Sequence, residues 1–190
     1  MQTLGIDLGS SSIKIAVFDS SKQRTLARAF FPKNELSIEV PSPSWAEQQP
    51  DVWWNSLKGA LYEIKHQIIL KNIQAIGISY QMHGLVAIDK NLTPVRPAII
   101  WCDSRAVKIG ERAFDSLKDQ YYMSQHLNAP GNFTASKLAW VKENEPEIYA
   151  RIWKFMLPGD YLALKLSDKP TTTEAGLSEA ALWNFKNKMI

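Results

Sequence analysis

The stretch Gly5-Ile6-Asp7-Leu8-Gly9-Ser10-Ser11-Ser12-Ile13-Lys14-Ile15-Ala16-Val17-Phe18-Asp19 decides how this chain is read. Two apolar runs, Leu4 to Leu8 and Ile13 to Phe18, flank a turn made only of glycine and serine. Alternation of inward and outward positions in both arms predicts a β-hairpin. Gly9 permits the backbone angles of a tight turn and lets another group come close. The hydroxyls and amides of Gly9 to Ser12 form a concave, donor-rich tip, a natural seat for phosphate oxygens. Asp7 stands beside that tip; a carboxylate there makes sense if a divalent cation lies between it and the phosphates. Lys14 adds a positive charge. Short Gly/Ser turns are common, and taken alone the motif favours a purely structural hairpin with Asp7 as a turn residue.

Composition sets the limits. The 190 residues, 45% hydrophobic and 22% charged, are those of an ordinary globular protein able to bury a core in one domain. A net charge of +3 with no dense Lys/Arg cluster argues against nucleic acid and against an electrostatic membrane anchor. No apolar run approaches a membrane span, no secretory signal precedes the first strand, and the single Cys102 rules out an internal disulfide or a cysteine-based metal cluster. A cytoplasmic location is expected.

Arg24 to Phe31 reads as a third strand, completing a meander, and Pro32 to Pro50 as a long connection. Pro50 suits a helix first turn, and Trp53, Leu57, Leu61, Ile64 and Ile68 form one amphipathic face that runs to Lys71-Asn72. Strands are predicted at Ile73–Tyr80, Gly84–Asp89 and Pro97–Trp101. Asp103 or Ser104 can cap a helix turning Ala106, Ile109, Ala113 and Leu117 inward. An irregular stretch from Tyr121 ends in the turn Ala129-Pro130-Gly131-Asn132. Helices follow from Thr134 or Ser136, at Pro146–Ile152 and at Asp160–Leu166; Thr171-Thr172-Thr173 reads as a strand stub, and Leu182 to Ile190 as the start of another element. The result is an α/β chain with a mixed sheet opened by an antiparallel β-meander and flanked by helices. The P-loop and Gly-x-Gly-x-x-Gly patterns are absent.

Four polar clusters fall at strand ends or turns: Asp7 to Ser12, Gln81 to Gly84, Asp103 to Arg105, and Pro130 to Lys137. Ligands of α/β proteins bind beyond strand ends, so a single site gathering these clusters is expected. His83 suits a hydrogen-bonding role, with neither His66 nor His126 at ligand spacing for a metal. Asp103 is readable as a helix cap that also lines the cleft. Cys102 carries no nucleophile signature.

The ordered motifs resemble those of a known family. Gly5 to Ser12 resembles the first phosphate motif of the actin-like ATPase superfamily. Gln81-Met82-His83-Gly84 with Asp89 resembles the xylulokinase segment of the FGGY carbohydrate kinase family. Pro97-Ala98-Ile99-Ile100-Trp101-Cys102-Asp103-Ser104-Arg105 is similar to that family's Pro-Ala-Ile-Leu-Trp-x-Asp-x-Arg, and Phe133 to Val141 to its Phe-Thr-Ala-Pro-Lys-Leu-x-Trp-Val. Leu157-Pro158-Gly159-Asp160-Tyr161-Leu162 is similar to its Leu-Pro-x-Asp-Tyr-Leu. The resemblance runs in order from residue 4 to about residue 185.

It implies an actin-like (ribonuclease H-like) fold and an ATP-dependent kinase acting on a ketose such as D-xylulose, in a cleft between two domains. Carried over, Gly9, Ser10, Ser11, Ser12 and Lys14 hold the ATP phosphates, Asp7 supports Mg²⁺ and the phosphoryl group, Met82 and His83 contact the sugar, and Asp103 lines the cleft. Gly131-Asn132-Phe133-Thr134 is one residue longer than the family's Gly-Phe-Thr turn, so the resemblance leaves open a kinase for ribulose, gluconate or glycerol. The family's general base, an Asp in Gly-Gly-x-Asp, has no counterpart in residues 1–190, and the second kinase domain is expected to be missing. Residues 1–190 are therefore expected to be an incomplete N-terminal domain, inactive alone, with exposed apolar surface that would also drive homodimerisation. A non-catalytic actin-like sugar- or partner-binding module is the other reading.

Overall fold

In a computed structural model, described over residues 1–116, 124–126 and 130–190, the opening hairpin forms as its alternation dictates. β1 (Gln2–Leu8) pairs antiparallel with β2 (Ile13–Asp19), which pairs antiparallel with β3 (Arg24–Phe31). α1 (Pro50–Ile64) then crosses over and β5 (Ile73–Tyr80) enters parallel to β1, giving the order β3-β2-β1-β5. The two small pairings are β4 (Glu47–Gln48) with β7 (Ala98–Ile99), and β6 (Val86–Ile88) with β8 (Lys154–Met156). Helices α2 (Val107–Ser116), α3 (Thr134–Asn144), α4 (Pro146–Arg151), α5 (Pro158–Ser167) and α6 (Glu174–Glu179) complete the described elements.

One face of the four-stranded sheet makes the core. Leu4, Ile6, Leu8, Ile13, Ile15 and Val17 pack against Trp53, Leu57, Ala60 and Ile64 of α1. Tyr161, Leu162 and Leu164 of α5 join the same cluster, and the buried Tyr161 hydroxyl donates to Asp51 Oδ1 at 2.6 Å. This ties α5 to the first turn of α1. The opposite sheet face, with Lys14, Ala16 and Phe18, is exposed. Burying the two arms of the hairpin from one side fixes its register, because a slip by one residue would turn every apolar side chain to solvent.

Several expectations are corrected. α1 ends at Ile64, not at Asn72; a separate 3-10 turn occupies Leu70–Asn72. No strand forms at Thr171–Thr173. Thr173 is the N-cap of α6, its hydroxyl accepting from Gly176 N–H at 3.0 Å. β-branched residues favour strands, but a threonine hydroxyl at a helix start satisfies an orphan amide, and here the cap prevails. At the start of α2, Ser104 contributes its backbone carbonyl to Val107 N–H, while the Asp103 carboxylate turns elsewhere. Leu117, and residues 121–123 and 127–129 of the expected irregular stretch, lie outside the described residues.

Of the glycines required by close approach, two lie where α5 begins. A Cβ on Gly84 would sit 2.4 Å from Pro158 Cγ, and one on Gly159 would sit 2.0 Å from Tyr80 Cδ1. The N-terminus of α5 is thereby pressed against the ends of β5 and β6. Gly159→Ala is expected to destabilise the chain by about 1–3 kcal/mol, read as a lowered urea midpoint with unchanged slope.

Candidate functional site

The tip of the hairpin is built by backbone geometry. Gly9 N–H donates to Ser12 O at 3.0 Å and closes the turn. Ser10 O accepts from Gln48 Nε2 at 2.7 Å, and Ser11 O accepts from Leu36 N–H at 2.7 Å. A trans peptide places its C=O and N–H on opposite sides. Two carbonyls held inward therefore turn the N–H groups of Ser11 and Ser12 outward, away from the 36–48 loop. That arrangement presents donors and withdraws acceptors, as an anion requires.

Asp7 and Lys14 face each other across the hairpin, a direct register pair, with Lys14 Nζ 3.6 Å from Asp7 Oδ2. Both are half-exposed or more, so the pair adds little stability but places both charges beside the tip. On the other side of β1, Asp7 is in register with Ser79 of β5. Among the described residues no three His, Cys, Asp or Glu side chains converge as a metal cage. An accessible carboxylate beside a donor-presenting tip nevertheless suits Mg²⁺, which is commonly held by one or two carboxylates together with substrate phosphates and water.

The second cluster is tied to the first by one glutamine. Gln81 N–H donates to Leu8 O at 2.7 Å, and Gln81 Nε2 donates to Gln48 Oε1 at 3.2 Å. The same Gln48 oxygen accepts from Trp53 Nε1 at 3.1 Å. Gln48 thus joins the hairpin tip, the end of β5 and the core side of α1.

His83 sits just beyond, in the left-handed region at φ 58. Its ring packs edge-on against Phe133, with centroids 4.2 Å apart at 79°. Nδ1 lies 2.9 Å from Glu179 Oε1, and the backbone N–H of His83 donates to the same oxygen. Burial is the main force holding the imidazole below its ordinary value; Glu179 opposes the shift, and Lys137 adds to it. Met82 beside it is 55% exposed and available to a ligand.

The fourth cluster supplies a buried cation. Lys137 of α3 has no exposed surface, and its Nζ donates to His83 O at 2.5 Å and Ile100 O at 3.1 Å. Burial drives its pKa down to about 8, against upward pulls from Asp103, Cys102 and Glu179. Thr134, one turn earlier, donates its hydroxyl to Gly84 O at 3.2 Å. The amino-terminal turns of α3 are thereby stapled to the ends of β5 and β7.

Asp103 is fully buried. Its Oδ2 accepts from Ala46 N–H at 2.6 Å and from Arg105 at 2.7 and 2.9 Å, and its Oδ1 accepts from Arg105 N–H at 2.9 Å. Asn132, in the extended turn, donates to the Asp103 carbonyl. Asp103 neither caps α2 nor opens onto the cleft; its carboxylate is committed to Arg105 and the Trp45–Ala46 peptide. Cys102 is exposed, with its thiol pushed up by partial burial, the reverse of an activated nucleophile.

All four clusters are therefore brought into one hydrogen-bonded neighbourhood, with Asp7, the Gly9–Ser12 tip, Met82 and His83 on its surface and Asp103 beneath it. Gln48, Lys137 and Glu179 were missed by sequence reasoning. For Lys137 the signal was its place at the end of the fourth cluster, and for Gln48 the resemblance of Trp45-Ala46-Glu47-Gln48 to the family's sequence; Glu179 carried none.

The chain matches the model of the FGGY family of carbohydrate kinases, N-terminal domain, over residues 2–189. It is 35% identical over 164 residues to a xylulose kinase of Escherichia coli, covering 86% of this chain and 33% of that protein. It is 35% identical over 187 residues to a xylulose kinase of Lactococcus lactis, covering 97% of this chain and 36% of that protein. The crystal structure described as a xyloylose kinase from Brucella ovis superposes with a TM-score of 0.89 at 29% identity, over 100% of this chain and 39% of the other. The chain thus spans about a third of the length of the curated relatives it matches. Among the described residues no helix is long and apolar enough to cross a membrane.

The buried Lys137 generates a pH signature. Its pKa is about 8 folded and about 10.5 unfolded, so between those values the unfolded chain binds the extra proton and stability rises with pH. Relative to Lys137→Met, the unsubstituted chain is expected to gain up to about 3 kcal/mol from pH 8 to 10.5, measured by denaturant titration at each pH.

Proposed function

Because this chain belongs to the FGGY family of carbohydrate kinases, we propose that it supplies the phosphate-binding tip and the sugar-contacting pair of an ATP-dependent ketose kinase. The observation that carries the reading is the Ser10–Gln48–Gln81 hydrogen-bond chain, which holds a donor-presenting hairpin tip beside the strand end bearing Met82 and His83. Phosphoryl transfer demands positioning and charge neutralisation more than covalent chemistry. The outward N–H groups of Ser11 and Ser12, the Ser10–Ser12 hydroxyls and Lys14 bind the ATP phosphates, with Gly9 shaping the turn. Asp7 is the residue that would hold Mg²⁺, an ion that neutralises phosphate charge when bound. Met82 and His83 contact the sugar, for which D-xylulose is the proposed substrate. Asp103 serves from below by fixing Arg105 and the Ala46 peptide, which shape the cleft floor.

The adenine pocket and the general base belong, in this reading, to polypeptide that the longer relatives carry beyond the matched third. Asp7 cannot easily serve both metal and substrate proton. A cytoplasmic setting fits such an enzyme. Partners are the sugar and a second kinase domain, with homodimerisation through exposed apolar residues such as Phe18 and Phe30 as a further expectation.

Two measurements test this. In a coupled ADP-release assay with D-xylulose, residues 1–190 alone are expected to turn over little or nothing; rates comparable to a complete sugar kinase would overturn the division of labour. Titration of magnesium tripolyphosphate, followed by calorimetry, is expected to show binding that Asp7→Asn weakens by about tenfold or more. Equal binding by both proteins would remove Asp7 from the site. A parallel panel of ribulose, gluconate and glycerol then ranks the sugar.

A further inference from the structure

His83 is held from three directions, and only one of the holding groups can select between its ring nitrogens. Lys137 grips the carbonyl, so it fixes the peptide and not the imidazole. Phe133 meets the ring edge-on and restrains its tilt without distinguishing Nδ1 from Nε2. Glu179 does distinguish them. A single oxygen, Oε1, lies 2.9 Å from Nδ1 and also accepts the His83 backbone N–H. The His83 side chain is 26% exposed, yet Nδ1 is completely buried and makes no aligned hydrogen bond, its contact with Glu179 being one of charge at 2.9 Å, so the exposure falls on the rest of the side chain.

We infer that Glu179 is the positioning residue of the sugar subsite, holding His83 as the Nδ1–H tautomer so that Nε2 is offered outward as a hydrogen-bond acceptor for a ligand hydroxyl. The inference rests on the proposed role of His83 as a sugar contact. Its physical basis is the charge of Glu179: a carboxylate oxygen at 2.9 Å attracts an N–H and repels a lone pair, so the neutral ring places its proton inward. The ring is neutral near pH 7, because burial outweighs the carboxylate in setting its basicity. Lys137 also faces His83, and its ammonium, bonded to the carbonyl, reinforces the neutral form. An outward acceptor discriminates among ligands, since it pairs with a hydroxyl donor and is left unpaired by an ether or carbonyl oxygen at the same place.

Glu179 lies 96 residues from His83, at the end of α6, the helix that follows the threonines read as a strand stub. Its helix is anchored by the Thr173 cap and by Ala180 O, which accepts from Ala135 N–H of α3 at 3.2 Å. The carboxylate is therefore carried by an element hydrogen-bonded, through Ala180, to the same helix that supplies Lys137.

Nitrogen-15 spectra of the full chain, with histidine labelled on the ring, test the assignment. At neutral pH the His83 ring is expected to show a protonated Nδ1 and an unprotonated Nε2. In Glu179→Gln, which preserves shape, the equilibrium is expected to shift towards Nε2–H and the ring pKa to fall further; Glu179→Asp is expected to restore part of the original pattern. A dominant Nε2–H tautomer in the unsubstituted chain, or identical ring spectra with and without Glu179→Gln, would overturn the inference. The unsubstituted chain decides this even if a variant fails to fold. Adding D-xylulose to the unsubstituted chain reads the sugar contact separately: unmoved His83 ring signals overturn that contact, whereas the tautomer alone decides the role of Glu179.

Discussion

The guanidinium of Arg105, 1% exposed, is the constraint on which the rest of this site depends. A buried arginine is tolerated only when its charge is neutralised. Asp103 binds it at 2.7 Å and Glu47 at 2.7 Å, while Trp45 covers the planar group at 3.8 Å. Glu47 is shared with Arg96, which in turn reaches Glu145 beyond the end of α3. Five charges from four chain segments thus form one network. Removing any one inner partner would strand a buried charge, at a cost of about 3–5 kcal/mol.

What that network positions is more important than what it stabilises. By fixing Glu47 and the Ala46 amide, it fixes the next residue, Gln48, which holds the hairpin tip and the end of β5. By fixing Asp103 it fixes the end of β7, whose Ile100 carbonyl, with that of His83, accepts from Lys137. A carbonyl-coordinated lysine with no carboxylate in ion-pair contact among the described residues is an expensive arrangement, as the depressed pKa shows. It holds because α3 is pinned at Thr134 as well and cannot withdraw the ammonium to water.

Legibility in the sequence followed the kind of physics involved. The hairpin, β3 and α1 were readable because burial on one face imposes a period, and the bounds of the hairpin and β3 and the start of α1 lie close to the expected ones. β4 and β8, of two and three residues, are too short to carry any period. Ile68 continues the apolar spacing of α1 although the helix has already ended, because periodicity reports a face and not a stop signal. At the site, Asp7, Ser10 and His83 stood out as polar residues at strand ends. Lys137 was placed in the fourth cluster but given no role, since the partners of its ammonium are known only from its neighbours in space. Asp103 was legible as important but not in its role; only the distant Ala46 amide and Arg105 stack show that its carboxylate is spent internally. Family motifs helped where local physics was silent, yet Glu179 belongs to none of those quoted above.

The aromatic cover of Arg105 has an optical consequence. Trp45 from the long connection and Trp140 from α3 lie with ring centroids 5.1 Å apart at 82°, both against the same guanidinium. Two indoles that close and that strongly inclined couple their transitions, so the pair is a chiral chromophore distinct from the other five tryptophans. Its circular dichroism exists only while the loop before Glu47 and the helix bearing Lys137 are docked on each other. The molecule therefore carries its own spectroscopic gauge of whether the cleft floor is assembled, readable without any label.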